Sequence, residues 1–134
     1  MAFDKAKDPR SIIVDGDVNR LIQVAEEAGK SLAQQKLSTS QIRNVFGEVR
    51  SIEANWKADP DGSFRKFVLL EPKLAYAAAR GGRRDNPVEA LAVILTPCIQ
   101  EIRGSQPQNR KEHFSRFVDF FEAILAYHKA AGGS

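Results

Sequence analysis

Apolar residues recur at steps of three and four along most of this 134-residue chain, and no segment sustains a period-two alternation. Such a pattern buries its hydrophobic faces helix against helix and gives a sheet nothing to build on. Val18, Leu21, Ile22, Ala25, Ala28, Gly29 and Leu32 predict a first helix that starts after Asp15 or Asp17, either of which can cap it, and ends near Gln35. Ser38 and Gln41 have capping-box spacing ahead of the stripe Ile42, Val45, Phe46, Val49, Ile52 and Trp56. Asp59-Pro60-Asp61-Gly62 should end that second helix, because it is strong turn chemistry. A short third helix would carry Phe64, Phe67 and Val68, and Pro72 suits the first turn of a fourth over residues 73–80, stopping at Gly81-Gly82. Asn86-Pro87 opens a fifth, which Pro97 should kink or divide. After a Gly104-Ser105-Gln106-Pro107 loop, a last helix over 109–131 aligns Phe114, Phe117, Val118, Phe121, Ile124 and Leu125 for packing. The expected fold is all-α: a compact bundle of about five to six helices, a single domain over 1–134 with residues 1–16 as a loosely ordered arm or an edge-packing tail.

Several function classes find no support in the residues. No apolar run approaches the roughly 20 residues that cross a bilayer, and the N-terminal residues lack a secretory apolar stretch, so a soluble cytoplasmic protein is expected, with no membrane partner. Cys98 stands alone in an apolar stretch and reads as a buried inert thiol. His113 and His128 are 15 residues apart, about 22 Å along a helix, too far to share a metal; His113 reads as a partly exposed histidine. No nucleophile–base pair, phosphate loop or metal-ligand spacing emerges, so no catalytic residue, metal or cofactor is expected, and the chain does not read as an enzyme.

Charge is the informative feature. The net charge is only +3, but residues 36–86 carry ten basic and six acidic side chains, while residues 1–35 are net −1 and residues 87–134 are neutral. Arg43, Arg50 and Lys57 follow one another at steps of seven, which returns a helix to within about 20° and raises it about 10.5 Å. They form a basic row away from the apolar stripe, with small Gly47 and Ala54 in the same strip. Lys66, Lys73 and Arg80 repeat the spacing, with Tyr76 beside Lys73 and Arg80, and Arg83 and Arg84 follow in a glycine-containing loop. Cations beside small residues admit a phosphate, and an aromatic ring can stack on a base. The same spacing also arises on any solvated helix face, and Tyr76 taken alone reads as core before platform. The candidate RNA-binding set is Arg43, Arg50, Lys57, Lys73, Tyr76, Arg80, Arg83 and Arg84.

Two stretches carry a family resemblance: Leu69-Leu70-Glu71-Pro72-Lys73-Leu74-Ala75-Tyr76-Ala77-Ala78-Ala79-Arg80, and Phe120-Phe121-Glu122-Ala123-Ile124-Leu125-Ala126-Tyr127-His128-Lys129-Ala130-Ala131-Gly132-Gly133. Together with Leu37-Ser38-Thr39-Ser40-Gln41-Ile42-Arg43, they resemble the small subunit of type III-A CRISPR RNA-guided effector complexes over roughly residues 37–133. The resemblance implies a nonenzymatic helical subunit in antiviral defense. It would contact guide RNA and target RNA by their backbones, beside other subunits of the complex and neighbouring copies of itself. A subunit that tracks any guide must grip phosphates and sugars and ignore base edges. A purely structural helical adaptor without nucleic-acid contact is the alternative.

Overall fold

The computed structural model describes residues 3–80 and 86–133. Six α-helices follow one another: Val18–Gln34 (α1), Thr39–Asn55 (α2), Pro60–Val68 (α3), Leu70–Ala79 (α4), Pro87–Arg103 (α5) and Arg110–Ala130 (α6). No strand occurs among the described residues, and no helix is long and apolar enough to cross a membrane.

The cap signals act as read. Asp17 accepts from the Arg20 amide at 3.1 Å, and the Ser38–Gln41 box closes in both directions, at 2.9 and 3.1 Å. Asp59-Pro60-Asp61-Gly62 does more than end a helix. Asp59 accepts from the Gly62 amide and Pro60 is the first residue of α3, so the motif starts a helix within a turn of the last one. Pro97 does not divide α5, which runs unbroken through it. Asn86 has a double role that sequence spacing did not show. Its Oδ1 accepts from Val88 to cap α5, while its Nδ2 donates toward the last carbonyls of α4, Ala77 at 3.1 Å and Ala78 at 3.0 Å. One side chain thereby joins the end of α4 to the start of α5.

α1 packs along α6, and α4 packs along α5. The α1–α6 seam closes at Gly29, where an added Cβ would lie 2.6 Å from the His128 backbone nitrogen. A column of rings ties α2 and α3 to α6: Trp56 stacks on Phe114 at 4.5 Å, and Phe67 meets Phe114 and Phe117 edge-on at 5.0 Å. Phe121 then meets Phe46 at 5.1 Å. Each such pair contributes about 0.5–1.5 kcal/mol beyond burial. The outer faces of α2 are therefore held in a fixed relation to α6.

Residues 1–16 were expected to form a loose arm, yet a helical segment with a π turn at Arg10–Val14 packs into the bundle, and Ile12 and Ile13 are fully buried. Two arginines fasten it. Arg20 grips Asp8 at 2.7 and 2.9 Å, and the Arg116 guanidinium donates to the carbonyls of Ile13 and Val14 at 3.0 and 2.9 Å. Burial works to raise the Asp8 carboxyl, but the bonds from Arg20 and from the Asp4 amide outweigh it and hold the group below its usual range.

Candidate nucleic-acid interface

The buried stripe of α2, Ile42, Val49 and Ile52, leaves two exposed flanks. At about 100° per residue, Arg43 and Arg50 point roughly opposite to Gln41 and Glu48. Each flank borders a different helix.

On one flank, a depression between α2 and α6 is lined by Thr39, Arg43, Leu125, Ala126, His128, Lys129 and Ala130. A second depression at the far end of the same row is lined by Trp56, Lys57, Pro60, Asp61, Pro107, Arg110 and Lys111. Arg43 and Lys57 therefore stand at opposite ends of the α2–α6 flank, each facing cations of α6. Arg50 lies between them, bonded to Glu53 at 3.0 Å and set over the Phe46 ring. Gly47 is open, with nothing within 4 Å of an added Cβ. Arg110 stacks on Phe64 with its guanidinium carbon 3.9 Å from the ring centroid, and its Nε is buried without a hydrogen-bond partner.

Lys111 and Lys129 are 18 residues apart, five full helical turns, and so share one face of α6. They and Arg110 were absent from the sequence-derived set, because only the packing of α6 beside α2 brings them to Arg43 and Lys57. Glu122, seven residues before Lys129, falls on that face too, which concentrates positive charge at the two ends of the groove.

The second row borders the other flank. Lys66, Leu69, Leu70 and Lys73 meet Glu48, Ser51 and Ile52 across one depression, and Ala77 and Arg80 meet Gln41, Asn44 and Val45 across another. Lys73 sits 3.8 Å from Glu48 with both side chains exposed, a pair worth little. Tyr76 is 71 % exposed, so it is not the core residue its helix pattern suggested. The two basic rows do not share one trough, because α2 stands between them. Arg83 and Arg84 lie outside the described residues.

The histidines are structural. His113 is buried, in contrast to the partly exposed residue expected; its Nδ1 lies 2.6 Å from Ser105 Oγ. The same hydroxyl lies 3.2 Å from the Glu101 carbonyl. Burial, with Arg116 adding to it, pushes the His113 imidazole below its usual range. His128 donates from Nε2 to the Leu37 carbonyl at 2.6 Å, beneath Gly133. Cys98 is buried, and desolvation pushes its thiol far up, which removes nucleophilic character. No group of three or more metal-ligating side chains exists among the described residues.

These features define an all-helical protein whose concentrated surface chemistry is cationic, arranged along both flanks of one helix. Residues 15–134 match the family described as Csm2 Type III-A. The chain belongs to that family, the small subunit of type III-A CRISPR effector complexes. No curated protein and no solved structure matches it. The family match begins at residue 15, well before the stretch near residue 37 where the resemblance was legible, so it takes in α1.

Proposed function

We propose that this chain is a cytoplasmic, nonenzymatic subunit that holds guide or target RNA by its sugar–phosphate backbone, independent of sequence, in the groove between α2 and α6. The observation that carries this reading is the pairing of cations across both ends of that groove, Arg43 with Lys129 and Lys57 with Lys111. Paired cations suit phosphates, and the open strip at Gly47 leaves room for a backbone between them. Family membership supports the setting, since a subunit of an effector complex works beside RNA and other subunits. Weak contact per copy is sufficient where several copies act on one strand. Crosslinking the assembled complex to labelled guide and target, followed by mapping of the attached residues, tests the reading. Adducts should concentrate on α2 and α6 around Arg43, Lys57, Lys111 and Lys129. Adducts confined to α1 or α5 would overturn it.

A further inference from the structure

The end of α6 is tied to the start of α2 through one imidazole. His128 is 1 % exposed, and its Nε2 meets the Leu37 carbonyl at 2.6 Å; a carbonyl only accepts, so this nitrogen donates. Leu37 belongs to the link between α1 and α2. Its amide donates to the Leu32 carbonyl at 3.1 Å, Lys36 before it takes φ 67°, and Ser38 after it caps α2. Beyond α6, Gly132 turns the chain at φ 91°, and Gly133 comes back over the ring with its amide 2.9 Å from the His128 carbonyl. A Cβ added at residue 133 would collide with the imidazole, which is why glycine closes this turn. The Gly133 carbonyl in turn accepts a long bond, 3.4 Å, from the Thr39 hydroxyl.

Both cations at this end of the groove hang from the tied segments. Lys129 follows His128 directly, and Arg43 lies four residues beyond Thr39, on the same side of α2. Thr39, Arg43, His128 and Lys129 line one depression. Like charges across it push the two helix ends apart, so their separation is set by what ties them. At the far end Lys57 and Lys111 are held by a different device, the Trp56–Phe114 stack at 4.5 Å. We infer that His128 is a positioning residue for RNA: through Leu37 and Gly133 it holds Arg43 and Lys129 at the separation where both meet phosphates of one strand. The inference rests on reading the α2–α6 groove as the RNA site. The ring lies too deep to touch RNA itself. An apolar side chain of similar size would fill the same space but would offer the Leu37 carbonyl no donor, and a buried acceptor left alone is costly.

A mutant cycle tests this, read as the affinity of the full chain for labelled single-stranded RNA across salt concentrations. His128→Ala should lower the slope of log affinity against log salt by about 0.7, one phosphate contact, which is about fourfold in affinity near 0.15 M salt. His128→Gln, whose side-chain amide can donate in place of Nε2, should restore both. The loss should vanish in a chain already lacking Arg43 and Lys129, and persist in full in one lacking Lys57 and Lys111. A merely structural role would weaken both backgrounds alike. Should His128→Ala fail to fold by circular dichroism, Gly133→Ala takes its place in the cycle, because it displaces the ring without emptying the core. Equal loss in the two backgrounds, no loss on His128→Ala, or no rescue by glutamine overturns the inference. Removing Arg43 with Lys129 separates this from the groove reading. If that pair changes neither affinity nor slope, the groove fails; if it changes both while His128→Ala changes neither, only the positioning role fails.

Discussion

Gly29→Ala and Gly47→Ala are the same chemical change on two helices of equal length, and they should move stability in opposite directions. At Gly29 the new methyl would lie 2.6 Å from the His128 nitrogen and Tyr127 Cβ, and 2.8 Å from the Tyr127 carbonyl carbon. Two of these three are backbone atoms, so no rotamer change relieves the contact and α1 must move away from α6. Overpacking of this kind costs about 1–3 kcal/mol, and separating the seam also loosens Val24, Ala25, Ala28 and Leu32, which it buries. The gain of about 1 kcal/mol from replacing glycine within a helix offsets only part of that. A net loss of about 1 kcal/mol is expected, which lowers the urea midpoint by about 0.5 M for an m-value near 2 kcal/mol/M. At Gly47 nothing lies within 4 Å of the added Cβ, so the propensity gain stands alone and stability should rise by about 0.5–1 kcal/mol. Urea unfolding followed by circular dichroism measures both. If Gly29→Ala equals or exceeds the wild type while Gly47→Ala behaves as stated, the α1–α6 approach is not as close as described.

A further outcome follows from side chains already placed. Asp8→Ala should destabilise by about 2–3 kcal/mol, the lower end for a broken ion pair because Arg20 can reach water. Asp8 has a depressed carboxyl, so its contribution is full above the unfolded carboxylate range near 4 and is lost as pH falls through the lower folded value. The gap between wild type and Asp8→Ala in thermal melts should accordingly narrow below about pH 4; a gap that is constant or widens with acid contradicts the pairing.

The helices were legible in the sequence wherever two independent signals coincided. Ser38 and Gln41 stood ahead of a long apolar stripe, and Asn86-Pro87 stood ahead of another, and both opened helices there. The N-terminal segment was misread because Ile12 and Ile13 are adjacent and lack helical recurrence; they are buried by arginines that act from α1 and α6, a tertiary effect. Pro97 failed to divide its helix because flanking Leu95, Cys98 and Ile99 are all anchored in the core. The candidate interface was half legible. Spacing of seven identified Arg43, Arg50 and Lys57 as a row, but which helix borders that row depends on the ring column joining Phe46 to Phe121 and Trp56 to Phe114. Without that, Lys111 and Lys129 were ordinary surface lysines, and spacing alone does not place the row on α4 against the other flank of α2.

The salt dependence of single-stranded RNA affinity tests the α2–α6 groove most directly. Each phosphate contact contributes about 0.7 to the slope of log affinity against log salt. Removing Arg43, Lys57, Lys111 and Lys129 together should lower that slope by about 2–3 and weaken binding equally for unrelated sequences, with the unfolding midpoint unchanged. An unchanged slope in that variant would mean that the backbone of the RNA lies elsewhere.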